Sequence, residues 1–164
     1  MAERFVQSHI RQLPIFEQLS PPQMGVLSSI VQLLRLEPGT LALQEGQPTQ
    51  GMLLFVSGRG VLTRYAPDGT QESVGVVEAG QYIDEDALYA VGVEPLSLHI
   101  VESAIVLLIP RAPFVQLISQ YPEIRANIRV QTGVAQNRES AAKLFKGQRT
   151  DETVLQVWRR HWWA

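Results

Sequence analysis

The chain has 164 residues, 45% of them hydrophobic and 18% charged, which is the make-up of one folded domain with one sizeable core. Fourteen basic against 16 acidic residues leave a formal charge of −2, so no global positive field is available to gather nucleic acid. The absence of cysteine excludes disulfides, thiolate zinc sites and redox pairs, and points to a reducing compartment.

In chain order, the start from Met1 to Phe5 carries no secretory signal pattern. The first 36 residues read as helical, broken at Pro14 and at Pro21-Pro22. Ser20 precedes the proline pair, and Met24, Leu27, Ile30, Val31 and Leu34 recur at helical spacing on one face.

From Leu36 onward Pro38-Gly39, Glu45-Gly46, Gly58, Gly60, Pro67-Asp68-Gly69 and Gly80 punctuate short apolar runs, which predicts strands joined by turns. Val61 to Tyr65 alternates and is followed by Pro67-Asp68-Gly69, so a hairpin returning through Val74 to Val77 is expected. Gly58-Arg59-Gly60 reads as a turn between strands and not as a phosphate loop. The stretch Leu98 to Pro110 is nearly free of charge and is expected to be a strand buried on both sides. A long helix is expected from Pro122 to Lys146, stopped by Gly147. Its two apolar stripes suit packing on the strands and on a partner helix, so homodimerisation through residues 122–146 is expected, with a single wide face packed within the same chain as the alternative.

The motifs narrow this layout. Leu13-Pro14-Ile15-Phe16 with Leu19-Ser20, Pro38-Gly39, Glu45-Gly46, Phe55-Val56 before Gly58 and Gly60-Val61, and Gly80 with Glu85, Ala87 and Leu88 together resemble the cyclic-nucleotide-binding domain family, in the manner of the catabolite-activator-like sensor domains. Arg111, Phe114 and Pro122 extend the likeness, which runs from about Leu13 to Lys146. The resemblance implies a mixed α+β fold: an eight-stranded antiparallel β-roll, jelly-roll-like, with N-terminal helices and a long C-terminal helix. The corresponding divisions are a helical segment at 1–36, a roll at 37–115 with a ligand cassette at 80–99, C-terminal helices at 116–147, and a Trp/Arg-rich segment at 148–164.

In that family the cyclic phosphate faces backbone N–H groups of a short helix after Gly80, a natural anion site. By the resemblance, Glu85 stands at the glutamate on the ribose 2′-hydroxyl, and Ala87 and Leu88 at the small and apolar positions after it. Ile83, Asp84, Leu96, Ser97 and His99 complete the candidate ligand-binding set. Three departures stand out: Asp84 replaces a glycine, Asp86 replaces an apolar residue, and the Pro-Arg-Ala-Ala/Thr signature reads Pro95-Leu96-Ser97-Leu98-His99. The phosphate-pairing arginine is therefore Leu96. Between Arg64 and Arg111 there is no Lys or Arg, whereas Asp68, Glu72, Glu78, Asp84, Glu85, Asp86, Glu94 and Glu102 all fall there. Losing one partner of a buried charge pair costs about 2–5 kcal/mol, roughly 30- to several-thousand-fold in affinity. Tight binding of cyclic AMP or cyclic GMP is not expected, and no cofactor is required.

Other chemistries have little support. Asp84-Glu85-Asp86 lacks calcium-loop spacing, so no metal site is expected. His9, His99 and His161 are far apart and no nucleophile elbow or P-loop occurs, so no catalytic residues and no enzyme are expected. His99 reads as a half-buried histidine bonded to backbone, with donation to a ligand as the alternative. Thr150-Asp151-Glu152 starts a last helix leading to Trp158-Arg159-Arg160-His161-Trp162-Trp163. Such a cluster suits a juxtamembrane position at the cytoplasmic face, with membrane attachment beyond Ala164, or else a Trp-rich helix docked on the roll. The residues after Gly147 are too few for a helix-turn-helix, so no nucleic-acid reader is expected in this chain. The functional expectation is a cytoplasmic regulatory module that passes ligand or partner binding through its C-terminal helix. The alternative is a ligand-free interaction or dimerisation scaffold of a larger membrane-attached protein.

Overall fold

The computed structural model describes residues 1–128. Helix α1 spans Ala2–Ile10, a 3-10 turn follows at Pro14–Phe16, and α2 spans Pro21–Ser28. Ser20 caps α2 through a reciprocal pair: its hydroxyl accepts from the Gln23 N–H, and its own N–H donates to Gln23 Oε1 at 3.0 Å. Pro21 in the first turn loses nothing there, because that N–H has no intrahelical partner.

The expected helical segment to residue 36 is corrected here. The chain leaves α2 at Ser29, and Gln32–Leu36 forms strand β1, antiparallel to a later strand, with Leu34 opposite Val106. Val31 and Leu34 fit a helical period, but pairing with a buried strand overrides so short a local pattern.

Strands β2 (Leu41–Leu43), β3 (Gly51–Tyr65), β4 (Gln71–Glu78), β5 (Tyr82–Ile83) and β6 (Ser97–Pro110) complete the sheet, whose main path is β1-β6-β3-β4. β2 pairs with β6 and β5 with β3, and every ladder is antiparallel. The hairpin is as expected: Val61 faces Val76 across β3 and β4, and Pro67-Asp68-Gly69 closes it, with Asp68 Oδ1 accepting from the Thr70 N–H at 2.9 Å.

Among the described residues there are six strands, where eight were expected. β3 and β6 are long, and they stay paired along their length although the register slips between Phe55 and Gly60. Two segments of different register are thus carried by one strand. Gly58-Arg59-Gly60 lies inside this slip and is not a turn between strands. At Gly58 the backbone has φ +85°, and a Cβ would lie 2.4 Å from the Ser103 carbonyl oxygen. A side chain is excluded there on both counts.

The two long strands separate two cores. Met52 and Leu54 of β3 and Leu107 and Ile109 of β6 face the helices, meeting Ile10, Phe16, Met24 and Leu27. Leu53 and Phe55 with Leu98, Ile100 and Val106 face the roll interior with Leu62, Val77 and Ile83. The alternation is the period-two consequence of an extended chain, and two covered faces explain the almost unbroken apolar sequence of β6 after Ala104. At the register slip Glu102 and Ser103 are exposed, so burial on both sides holds for only part of this strand.

Helix α3 (Arg111–Gln120) follows β6 directly, and α4 (Pro122–Asn127) starts at Pro122 as expected. It ends at Asn127, where Ile128 is extended, so an unbroken helix from Pro122 is not what forms; the rest of the expected helix, to Lys146, lies outside the described residues. Asn127 Nδ2 donates to Gln23 Oε1 at 2.9 Å and ties α4 to α2. The Trp/Arg-rich segment also lies outside the described residues. Among the described residues no helix is long and apolar enough to cross a membrane.

Candidate functional site

Gly80 follows β4, and β5 delivers the chain to a 3-10 turn at Glu85–Leu88. Ile83 is buried in the roll core, while Ala87 and Leu88 are buried beneath the turn, Leu88 in the helix-side core. These apolar positions fix the turn. Between them stands Asp84 with φ +61° and ψ +36°, a left-handed conformation found at no other non-glycine among the described residues. The backbone thus has the geometry a glycine favours while the sequence carries an aspartate, one of the few other residues that tolerates it.

The acids of the turn are differently engaged. The Tyr82 hydroxyl donates to Glu85, whose Oε1 is buried without a partner. Burial, then the charge of Asp86, raises the Glu85 acid above its ordinary range. Tyr89, closing the turn, is held protonated by burial and by the Glu85 charge. Asp86 is exposed.

Glu94, counted in the sequence only as one acid among eight, is a principal feature of the site. It is 3% exposed, and its backbone is held on both sides: its N–H donates to the Gln47 carbonyl at 2.7 Å and its carbonyl accepts from the Gly46 N–H at 2.9 Å. Both Glu94 oxygens and Asp84 Oδ2 are buried without a hydrogen-bond partner. Burial first, then the nearness and charge of Asp84 and the charge of Asp86, push the Glu94 acid up to about 8. Asp84 rises to about 6, through burial first, with the nearness of Glu94 opposing and the charge of Asp86 adding. The signal legible in the sequence was its setting, a single carboxylate within Val91-Gly92-Val93-Glu94-Pro95-Leu96.

Leu96 is partly buried against the roll core. Ser97 is buried, and its Oγ accepts the Glu45 N–H. His99 lies on the same strand, where Thr63 Oγ1 and Gln71 Nε2 approach its Nε2 at 3.1 and 3.3 Å. These two side chains are among its partners, and burial lowers its pKa. Ile83, Asp84, Glu85, Ala87 and Leu88 are therefore gathered on one turn, while Leu96, Ser97 and His99 enter from β6 and its approach. Among the described residues no group of three metal-ligating side chains converges.

Known proteins bear on this arrangement. The fold is shared with the N-terminal domain of a transcriptional regulator from Streptomyces coelicolor (TM-score 0.66, 20% identity, 90% of this chain and 95% of that one). It is shared too with the sensor domain of the transcriptional regulator DNR from Pseudomonas aeruginosa (TM-score 0.65, 18% identity, 92% and 94% covered). A cyclic nucleotide-binding-like protein from Brucella abortus superposes at TM-score 0.62 with 22% identity, covering 70% of this chain and 98% of its own. No curated protein sequence matches. The sequence itself matches the cyclic nucleotide-binding domain over residues 33–121, the stretch that holds the sheet, the acidic turn and α3. The chain therefore belongs to the cyclic nucleotide-binding domain family.

Proposed function

We propose that this domain is a regulatory module in which a ligand or partner engages the cassette of residues 80–99, and that cyclic AMP and cyclic GMP are not tight ligands. The observation that carries the second half is the sign of the charge. Where the family resemblance calls for an arginine stands Leu96, and the buried acids facing the same turn are Asp84 and Glu94. A phosphate placed there gains no cation and meets carboxylates.

The route of transmission is supported by packing. Tyr89 closes the cassette turn and meets Phe114 of α3 edge-on, ring centroids 6.1 Å apart, while Phe114 meets Phe16 of the N-terminal turn at 6.4 Å. A displaced cassette turn therefore pushes on α3 directly, at the hinge of residues 114–122. No catalytic role is proposed for any residue. Homodimerisation through 122–146, attachment to a membrane and a cytoplasmic setting are parts of the same proposal.

Calorimetry with cyclic AMP and cyclic GMP tests the charge argument: no micromolar binding is expected, and micromolar affinity for either would overturn it. A second reading, a ligand-free interaction scaffold, is favoured by the internal use of the cassette's polar groups, Glu85 by Tyr82 and Ser97 by Glu45. A thermal-shift screen of cyclic mono- and dinucleotides separates the two, because a ligand bound only to the folded state raises the melting temperature.

A further inference from the structure

The loop of residues 90–95 carries its side chains inside out. Val91 is 81% exposed and Val93 61%, with Ala90, Gly92 and Pro95 exposed beside them, while Glu94 between Val93 and Pro95 is 3% exposed. Solvation favours the opposite arrangement, valine inward and carboxylate outward. A shift of one residue would reverse it. The backbone forbids that shift: Val93 bridges Pro48 in antiparallel register, the Thr49 N–H donates to the Gly92 carbonyl at 3.0 Å, and Gln47 and Gly46 hold both backbone groups of Glu94. Val93 and the exposed Pro48 opposite it therefore stand side by side on the outer surface. The result is a preformed apolar knob, which lowers the entropic cost of docking on it.

The surroundings of the knob carry one sign of charge. The Ala90 N–H donates to the Asp86 carbonyl at 3.0 Å, which sets the exposed Asp86 at the foot of the loop. The facing 44–50 connection brings Glu45, whose carboxylate accepts the Tyr65 N–H at 2.9 Å. Between Arg64 and Arg111 the sequence has no Lys or Arg. Arg59 and Arg64 are paired with Glu78, Glu102 and Glu72. An anionic lipid surface is repelled by such a face. A cationic aromatic partner fits it, with rings for the valines and positive charge for the acids at the rim.

This chain carries such a partner. Trp158-Arg159-Arg160-His161-Trp162-Trp163, outside the described residues, sets two arginines among all three tryptophans of the sequence. The stretch from Ile128 to Trp158 is about 45 Å long even as a continuous helix and about 100 Å extended, against a radius of gyration of about 14 Å for a domain of this size. The knob is thus within reach, and the tether makes the encounter intramolecular, which favours it over capture of a second copy.

We propose that residues 158–163 dock in cis on the 90–95 loop, the tryptophans covering Val91, Val93 and Pro48 and the arginines facing Asp86. The docking goes beyond the reading of the cassette as a nucleotide or partner site and does not depend on it: calorimetry that found cyclic AMP bound would leave it standing. It occupies the tryptophans themselves, so any membrane attachment begins beyond Ala164.

The test uses the full chain, in which tryptophan emission reports on this segment alone. Relative to the free peptide of residues 158–163, the emission is expected to lie to the blue and to resist quenching by acrylamide. In Val91→Ser combined with Val93→Ser, at two exposed positions outside the core, the ratio of docked to free segment is expected to fall on the order of tenfold for each valine. With Trp162 replaced by the photo-crosslinker p-benzoylphenylalanine, irradiation is expected to join it to residues 90–95, and only within one chain when light and heavy isotope-labelled proteins are mixed. An emission equal to that of the free peptide, including one that shifts only when phosphatidylserine vesicles are added, would overturn the proposal. So would docking untouched by the double serine variant, cross-links to another part of the roll, or cross-links between chains.

Discussion

Glu45 and Ser97, 52 positions apart, are joined by a hydrogen bond in which the Glu45 N–H donates to Ser97 Oγ at 2.9 Å. The bond anchors the approach to β6, and with it the neighbouring Leu96, at the position where the family resemblance places an arginine. A cation introduced at 96 would thus start from a fixed backbone.

Leu96→Arg combined with Asp84→Gly is expected to create cyclic nucleotide affinity. The arginine restores a charge-assisted partner, and the glycine removes one acid while keeping the left-handed backbone. A gain of roughly 30-fold or more over the wild type is expected by calorimetry with cyclic AMP. No gain in the folded double variant would favour the scaffold reading.

The pH dependence of stability has a definite sign. Asp84 and Glu94 have raised pKa values in the folded state, so they bind more protons folded than unfolded, and their contribution is lost as pH rises from about 4 to about 8. His99 acts oppositely: its lowered pKa makes the unfolded chain the better proton acceptor, and stability is lost as pH falls below the usual histidine range. Melting curves at pH 5 and pH 9 are expected to show the wild type losing more than Glu94→Gln on going alkaline, by roughly 5 °C. Equal losses would show that the acid pair carries no proton.

Gly58→Ala is expected to cost more than about 3 kcal/mol, because the new methyl meets the Ser103 carbonyl and the residue keeps φ +85°. Gly69→Ala shares the positive φ but meets nothing within 4 Å, and about 1 kcal/mol is expected. Urea denaturation of the pair separates the steric part from the conformational part.

Phe114→Ala is expected to destabilise the domain by about 3–5 kcal/mol, as for a large side chain removed from a packed core. Because Phe114 touches both Tyr89 and Phe16, the variant is also expected to show faster amide exchange in the cassette turn than in β6. Phe114→Leu, which keeps most of the volume, is expected to restore much of that protection.

The sequence by itself determined the family, the hairpin at 61–77, the apolar strand after Leu98 and the absence of any Lys or Arg between Arg64 and Arg111. All are local patterns or residue identities, legible without knowing what packs against what. Only the tertiary structure decided that Gln32–Leu36 is a strand, because β6 supplies its hydrogen bonds, and that β3 runs on through Gly58 and Gly60 as one strand paired with β6. It alone decided the importance of Glu94. A carboxylate's charge state is set by what surrounds it, and Asp84 reaches it from ten positions away through a backbone conformation that no residue type announces.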